Sequence, residues 1–188
     1  MRPIDIAHIS QFFDAYIASE RVVGYFCRLD DEGLEQDLQA IQTEYMENYD
    51  KRRFPRMAQL NARFHARIAI ATRNEYVTEN AFRLYNHARR LTYFVAMMEK
   101  NFISDLHETQ DLIRADHDDI IDTVRGGAGE NLVEILTRHA CLFHNRAMRA
   151  IAKTRGEGAP IPVPLTYEEP TAVVSELPRR RAGRPDSG

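Results

Sequence analysis

Asn61-Ala-Arg-Phe-His-Ala-Arg-Ile-Ala-Ile-Ala-Thr-Arg-Asn74 is the stretch whose reading decides the fold. Phe64, Ile68 and Ala71 recur at helical spacing and neither proline nor glycine interrupts them, so the pattern predicts a helix. Asn61 and His65 are four residues apart, which sets them one turn above the other on a single helix face. Two donors so placed can hold neighbouring positions on a metal ion. The remaining chain then has to answer two questions: whether it is helical as well, and whether it supplies further ligands.

Outward from this stretch the sequence reads as helix after helix. Pro55 suits the first turn of the central helix, about Pro55 to Ala71, and the basic Lys51-Arg52-Arg53 links it to what precedes. Leu34, Leu38, Ile41 and Tyr45 predict a helix ending near Asp50. Ile9, Phe12, Phe13, Tyr16, Ile17 and Val23 predict another from Ile6 to Cys27, with Asp30-Asp31-Glu32-Gly33 as the break between them. On the C-terminal side, Asn74 is read as a helix stop. Helices are expected from Tyr76 to Met98, from Glu108 to Arg125 (stopped by Gly126-Gly127) and from Glu130 to Lys153, with Asn101 to Leu106 as a connection. Outside the tail no segment alternates with a period of two. The expected fold is therefore all-α, an antiparallel bundle of about six helices spanning residues 6–154. From residue 155 to 188 prolines accumulate and bulky apolar residues thin out, which predicts a disordered Pro/Arg-rich tail.

Composition narrows the function classes. Hydrophobic residues make up 44% and charged residues 28%, a globular profile, and a formal charge of -3 carries no overall signature of nucleic-acid binding. No apolar run reaches the roughly 20 residues of a membrane span. Cys27 and Cys141 are isolated in helical patterns and read as reduced thiols, which suits a cytoplasmic protein.

The histidines carry the chemical signal. His117 shares or borders the helix face of Ile113, Ile120, Ile121 and Val124, and His139 stands at helical offsets from Leu132, Leu136 and Phe143. With Asn61 and His65 they would come from three helices and could converge inside the bundle. Neutral imidazole suits first-row divalent ions; zinc is the expected occupant, with nickel, iron or manganese as alternatives. Spacing alone leaves a second reading open, in which each is a hydrogen-bonded core histidine. His144, five residues after His139, is a rival ligand turned well away from it.

The combination Asn61-x-x-Phe-His65 with Asn74, then Asp116-His117-x-x-Ile120, then His139 resembles the effector-binding FCD domain of GntR-type transcriptional regulators of the FadR subfamily. The resemblance covers residues 6 to about 153. It implies that Asn61, His65, His117 and His139 take the metal-ligand positions, that a small organic-acid effector binds beside the metal, and that the domain forms a homodimer. Many such domains carry Asp where this chain has Asn61. The site then has one negative charge fewer, which favours an anionic effector in the coordination sphere. Arg often stands in the first helix where this chain has Tyr16, leaving Tyr16, Arg83, Arg89 and Arg90 as effector-binding candidates; the alternative for the arginines is a solvent-facing role.

Regulators of this kind carry a winged helix-turn-helix before the effector domain, and no such element is recognisable in residues 1–60. Residues 1–5 look like the remnant of the linker that follows it, so the expectation is a regulator whose DNA-reading domain is missing from this chain. Residues 178–185, Pro-Arg-Arg-Arg-Ala-Gly-Arg-Pro, approximate a minor-groove-binding hook and offer a second, weaker route to DNA; a solubilising basic end is the plainer reading. Against the sensor reading stands a metal-dependent enzyme acting on a small organic acid, with Asp116, Asp118 or Asp119 as its general base. No motif of nucleophilic catalysis, no His-Glu-x-x-His and no phosphate loop supports it. A dimerising helical module without a ligand is the third reading.

Overall fold

The computed structural model describes residues 6–99 and 103–156. Six helices follow in order: α1 (Ile6–Phe26), α2 (Leu34–Asp50), α3 (Phe54–Ile70), α4 (Glu75–Glu99), α5 (Ile103–Gly126) and α6 (Gly129–Gly156). They form the expected all-α bundle. Residues 1–5, expected to be a linker remnant, and most of the expected tail, including 178–185, lie outside the described residues.

Local chemistry explains most of the boundaries. Gly33 takes a left-handed conformation (φ 74°) immediately before α2, which a side chain would oppose. Pro55 sits in the first turn of α3, where its missing N–H leaves no hydrogen bond unmade. At the end of α5, Gly127 (φ 69°) lets the Gly127 and Ala128 amides turn back to the carbonyls of Val124 and Thr123, a Schellman closure. Asn74 does mark a boundary, but it belongs to the helix that follows. Its Oδ1 accepts the amides of Tyr76 and Val77 (3.1 and 3.3 Å), capping α4.

One expected connection is helical. α5 begins at Ile103 rather than at Glu108, so the Asn101–Leu106 link is shorter than expected. No proline or glycine lies between Ile103 and Glu108 to halt the helix. The last turns of α2 also give its start a surface to pack on: the Tyr49 hydroxyl meets His107 Nδ1 at 2.6 Å, and the Tyr45 hydroxyl donates to Gln110 Oε1 at 2.8 Å.

Neighbouring helices run antiparallel. α2 pairs with α5 through Glu35–Arg125, Gln42–His117 and Tyr45–Gln110, whose numbers fall on one helix as they rise on the other. α1 packs on α6 in the same sense, with Phe13 against Phe143 at one end and Gly24 against Val133 at the other. The core between them contains Phe13, Leu38, Leu60, Phe64, Ile68, Tyr85, Ile120 and Leu136. The buried Arg67 fixes α3 by donating to Asp31 Oδ1 (2.8 Å) and Asp37 Oδ2 (2.6 Å), which ties the α1–α2 link and α2 to the turn that carries His65.

α1 and α6 approach closely enough that a Cβ on Gly24 would lie 3.0 Å from Val133 Cα and 3.2 Å from its N. Alanine is the better helix former by about 1 kcal/mol. Here the obstacle is the backbone of another helix, and overpacking of that kind costs about 1–3 kcal/mol. Gly24→Ala is therefore expected to lower the urea-unfolding free energy by about 1–2 kcal/mol; a variant at least as stable as the parent would contradict the close packing.

Candidate functional site

The three sequence-predicted histidines meet at the centre of the bundle. His65 comes from α3, His117 from α5 and His139 from α6, all three buried, and each offers a ligating nitrogen within 4.8 Å of the other two. The imidazoles pack against each other, His65 on His139 with centroids 5.1 Å apart and His117 on His139 at 4.9 Å, while Phe64 stacks on His117 at 4.2 Å. Phe64 and His65 are adjacent in α3, so one helical turn supplies both a ligand candidate and the wall behind another.

Each ring is held by its Nδ1. His65 Nδ1 lies 3.0 Å from Glu20 Oε2 of α1, His117 Nδ1 lies 2.7 Å from Gln42 Oε1 of α2, and His139 Nδ1 lies 3.2 Å from Asp116 Oδ2 of α5. Carbonyl and carboxylate oxygens only accept, so these partners place the proton on Nδ1 and leave Nε2 with its lone pair. The Nε2 atoms of His65 and His117 are buried and have no hydrogen-bond partner. A bare buried polar atom costs about 1–3 kcal/mol, and Glu20 Oε1 and Gln42 Nε2 beside these rings are bare as well, so the cluster as a whole offers unmatched polar atoms to a further partner. Bare Nε2 atoms behind oxygen-anchored Nδ1 atoms are the arrangement that metal-binding imidazoles adopt.

Electrostatics favours the ligating form. Burial pushes His117 well below the usual imidazole range, and the neighbouring His139 and His65 push the same way. Burial lowers His139 too, with the Asp116 hydrogen bond pulling against it. Both shifts favour the neutral ring in His117 and His139, the form that coordination requires. A divalent ion about 2.1 Å from each nitrogen needs nitrogens about 3–3.5 Å apart, a contraction within reach of small side-chain rotations.

Asn61, one turn before His65, is half-buried and lines a small cavity beside the histidines together with His139 and Tyr16. The free space there is about 10 Å³, on the order of one water. Tyr45, Thr92 and Phe143 form further walls, and the guanidinium on its border belongs to Arg146. Arg83 is exposed, Arg89 is buried and Arg90 is half-buried on α4; none of the three lines this cavity. His144 packs on Phe13 (4.7 Å) and is not a member of the histidine cluster. Asp116 has both oxygens engaged, by Arg138 at 2.7 Å and by His139, while Asp118 and Asp119 are exposed. Glu20, Gln42 and Arg146 escaped the sequence reading. Their signal is a polar residue on an apolar helical stripe, as with Glu20 among Phe13, Tyr16 and Val23.

A family profile described as the FCD domain matches residues 20–141. The chain belongs to the FCD domain family. No curated protein and no solved structure matches it. The matched segment contains all three histidines and their partners Glu20, Gln42 and Asp116, whereas Tyr16 and Arg146 of the cavity wall lie outside it.

The neutral histidines make the metal-free FCD domain sensitive to acid. Unfolded, they titrate near 6.5; folded, His117 and His139 titrate lower. Between those values the unfolded chain binds protons that the folded one refuses, so stability rises with pH there. Chelator-treated protein is expected to keep this contribution above about pH 6.5 and to lose up to about 1.4 kcal/mol per pH unit per group below it. Urea midpoints at pH 7.5 and 5.5 measure the effect, and a midpoint unchanged at the lower pH would refute it.

Proposed function

We propose that this FCD domain is the ligand-sensing C-terminal part of a GntR-type regulator of the FadR subfamily. In this reading it binds a divalent transition metal, zinc by preference, through His65, His117 and His139, with Asn61 as a neutral fourth ligand. A small organic acid then completes the coordination sphere. The single observation that carries the reading is the set of buried, partnerless Nε2 atoms opposite oxygen-anchored Nδ1 atoms.

The ion would supply open coordination positions on the side where Asn61 and His139 border the cavity. The protein's own residues do the rest. Glu20, Gln42 and Asp116 orient the rings, and Phe64 walls His117. Because the ligands come from α3, α5 and α6, an occupied site ties three helices together and shifts the population of bundle conformations rather than performing a reaction. In a homodimer, that shift would be passed to attached DNA-reading heads. Asp116, the best placed candidate for a general base, is committed on both oxygens, which supports sensing over catalysis. Among the described residues no helix is long and apolar enough to cross a membrane, in keeping with the cytoplasmic setting we assign to such a regulator.

Elemental analysis of purified protein is expected to find about one divalent transition metal per chain, and a small organic acid is expected to raise the melting temperature only of the loaded form. His65→Ala with His117→Ala should abolish both signals, and Glu20→Ala should weaken metal binding about 10–100-fold through loss of its anchoring hydrogen bond. Wild-type protein that takes up no metal from zinc, nickel, iron or manganese solutions would sink the reading.

A further inference from the structure

Arg146 is buried, and its guanidinium is gripped side-on by Glu99: Nε donates to Oε1 at 3.0 Å and Nη2 to Oε2 at 2.7 Å. It stands seven residues after His139, two turns along the same face of α6, so both reach the one cavity. Packing alone does not call for a buried ion pair at this point, since apolar residues of similar volume commonly serve as well. The pair joins the last residue of α4 to the middle of α6.

We propose that Glu99 is an internal stand-in for the effector, and that a dicarboxylate displaces it from Arg146. This deepens the sensor reading and rests on it: one carboxylate of the acid would sit on the histidine-bound ion and the other on Arg146. Three observations support the exchange. Arg146, the partner of Glu99, lines the cavity, and the free space there is on the order of one water, so an acid can reach the guanidinium only if the groups around it move apart. The two partners differ in freedom, because the Glu99 side chain keeps 11% of its surface exposed at a helix end while that of Arg146 keeps 4%. Glu99 can turn to water; Arg146 stays. Finally, exchanging one carboxylate for another leaves the buried guanidinium paired throughout, avoiding the large cost of a lone buried charge. Tyr16 and Thr92 line the same cavity. When the exchange occurs, the end of α4 is released from α6, and occupancy of the cavity becomes a change in helix contacts.

The test uses the full, metal-loaded chain with glutarate as the dicarboxylate and butyrate as its one-carboxylate control, followed by calorimetry and thermal shift. Glu99→Gln removes the internal competitor. It is expected to bind glutarate at least ten-fold more tightly than wild type, to gain little for butyrate, and to melt lower than wild type until glutarate is added. Glu99→Gln combined with Arg146→Met, which removes both charges, should lose that gain. Glu99→Asp, which keeps the charge but shortens its reach, gives an intermediate gain and serves if the glutamine variant does not fold. Glutarate affinity no greater in these Glu99 variants than in wild type, including no binding by any of them, overturns the exchange. Metal content of the same samples judges the histidine reading separately, since a metal-free wild type overturns that reading whatever the glutarate result.

Discussion

Three imidazoles packed together in a protein interior each need an acceptor for the ring proton. That constraint organises this bundle. The acceptors come from three helices: Glu20 from α1, Gln42 from α2 and Asp116 from α5, reaching rings on α3, α5 and α6. Only α4 contributes neither a ring nor an acceptor, and it contributes Tyr85 to the packing beside His65. A shift of register by one residue in α1, α2 or α3 would turn an acceptor or a ring away and leave a buried polar atom without its partner. The ladder of pairs between α2 and α5, and the Arg67 anchor on α3, hold that register.

Charge is distributed around the rings rather than among them. The innermost layer holds three imidazoles and the Asn61 amide, while carboxylates stand one hydrogen bond further out at Glu20 and Asp116. Asp116 is in turn steadied from the surface. Burial acts to raise its pKa, but hydrogen bonds from His139 and Arg138 outweigh that and hold the carboxyl below its usual range. Arg138 also bridges to Asp119, so a half-exposed surface pair reaches the histidines through a single intervening side chain.

Much of this was legible in the sequence because helical periodicity is a strong signal when every element is helical. The six stripes gave the six helices, and the three histidines lay on apolar faces, which sufficed to bring them inward. What stayed hidden required knowing which faces meet. Glu20 and Gln42 look like ordinary polar residues until α1 and α2 are laid against α3 and α5. Arg146 is one of several arginines on α6, and only the packing of α4 against α6 selects it over the exposed Arg83 or Arg149. Asn74 marks a boundary in the sequence without showing which helix it serves, because an asparagine can end one helix or begin the next and only its hydrogen bonds decide. The early start of α5 was missed for a related reason: no local signal forbids a loop there, and the residues that favour a helix, Tyr45 and Tyr49, lie some sixty positions away in sequence.

The absence of a side chain at Gly24 has a mechanical meaning as well as a steric one. Where α1 meets α6 at Gly24, the space is bounded by the Val133 backbone and Leu136 Cδ1, so the two helices have almost no room to move toward each other. From Val133 to Arg146 along α6 is about 20 Å at 1.5 Å per residue. An error of only about 3° in the tilt of α6 at Val133 would displace the Arg146 end by about 1 Å, enough to make or break a hydrogen bond. The close approach at Gly24 and the Phe13–Phe143 contact further along thus fix the tilt of α6 on α1 at two points, and with it the place of Arg146 beside Glu99.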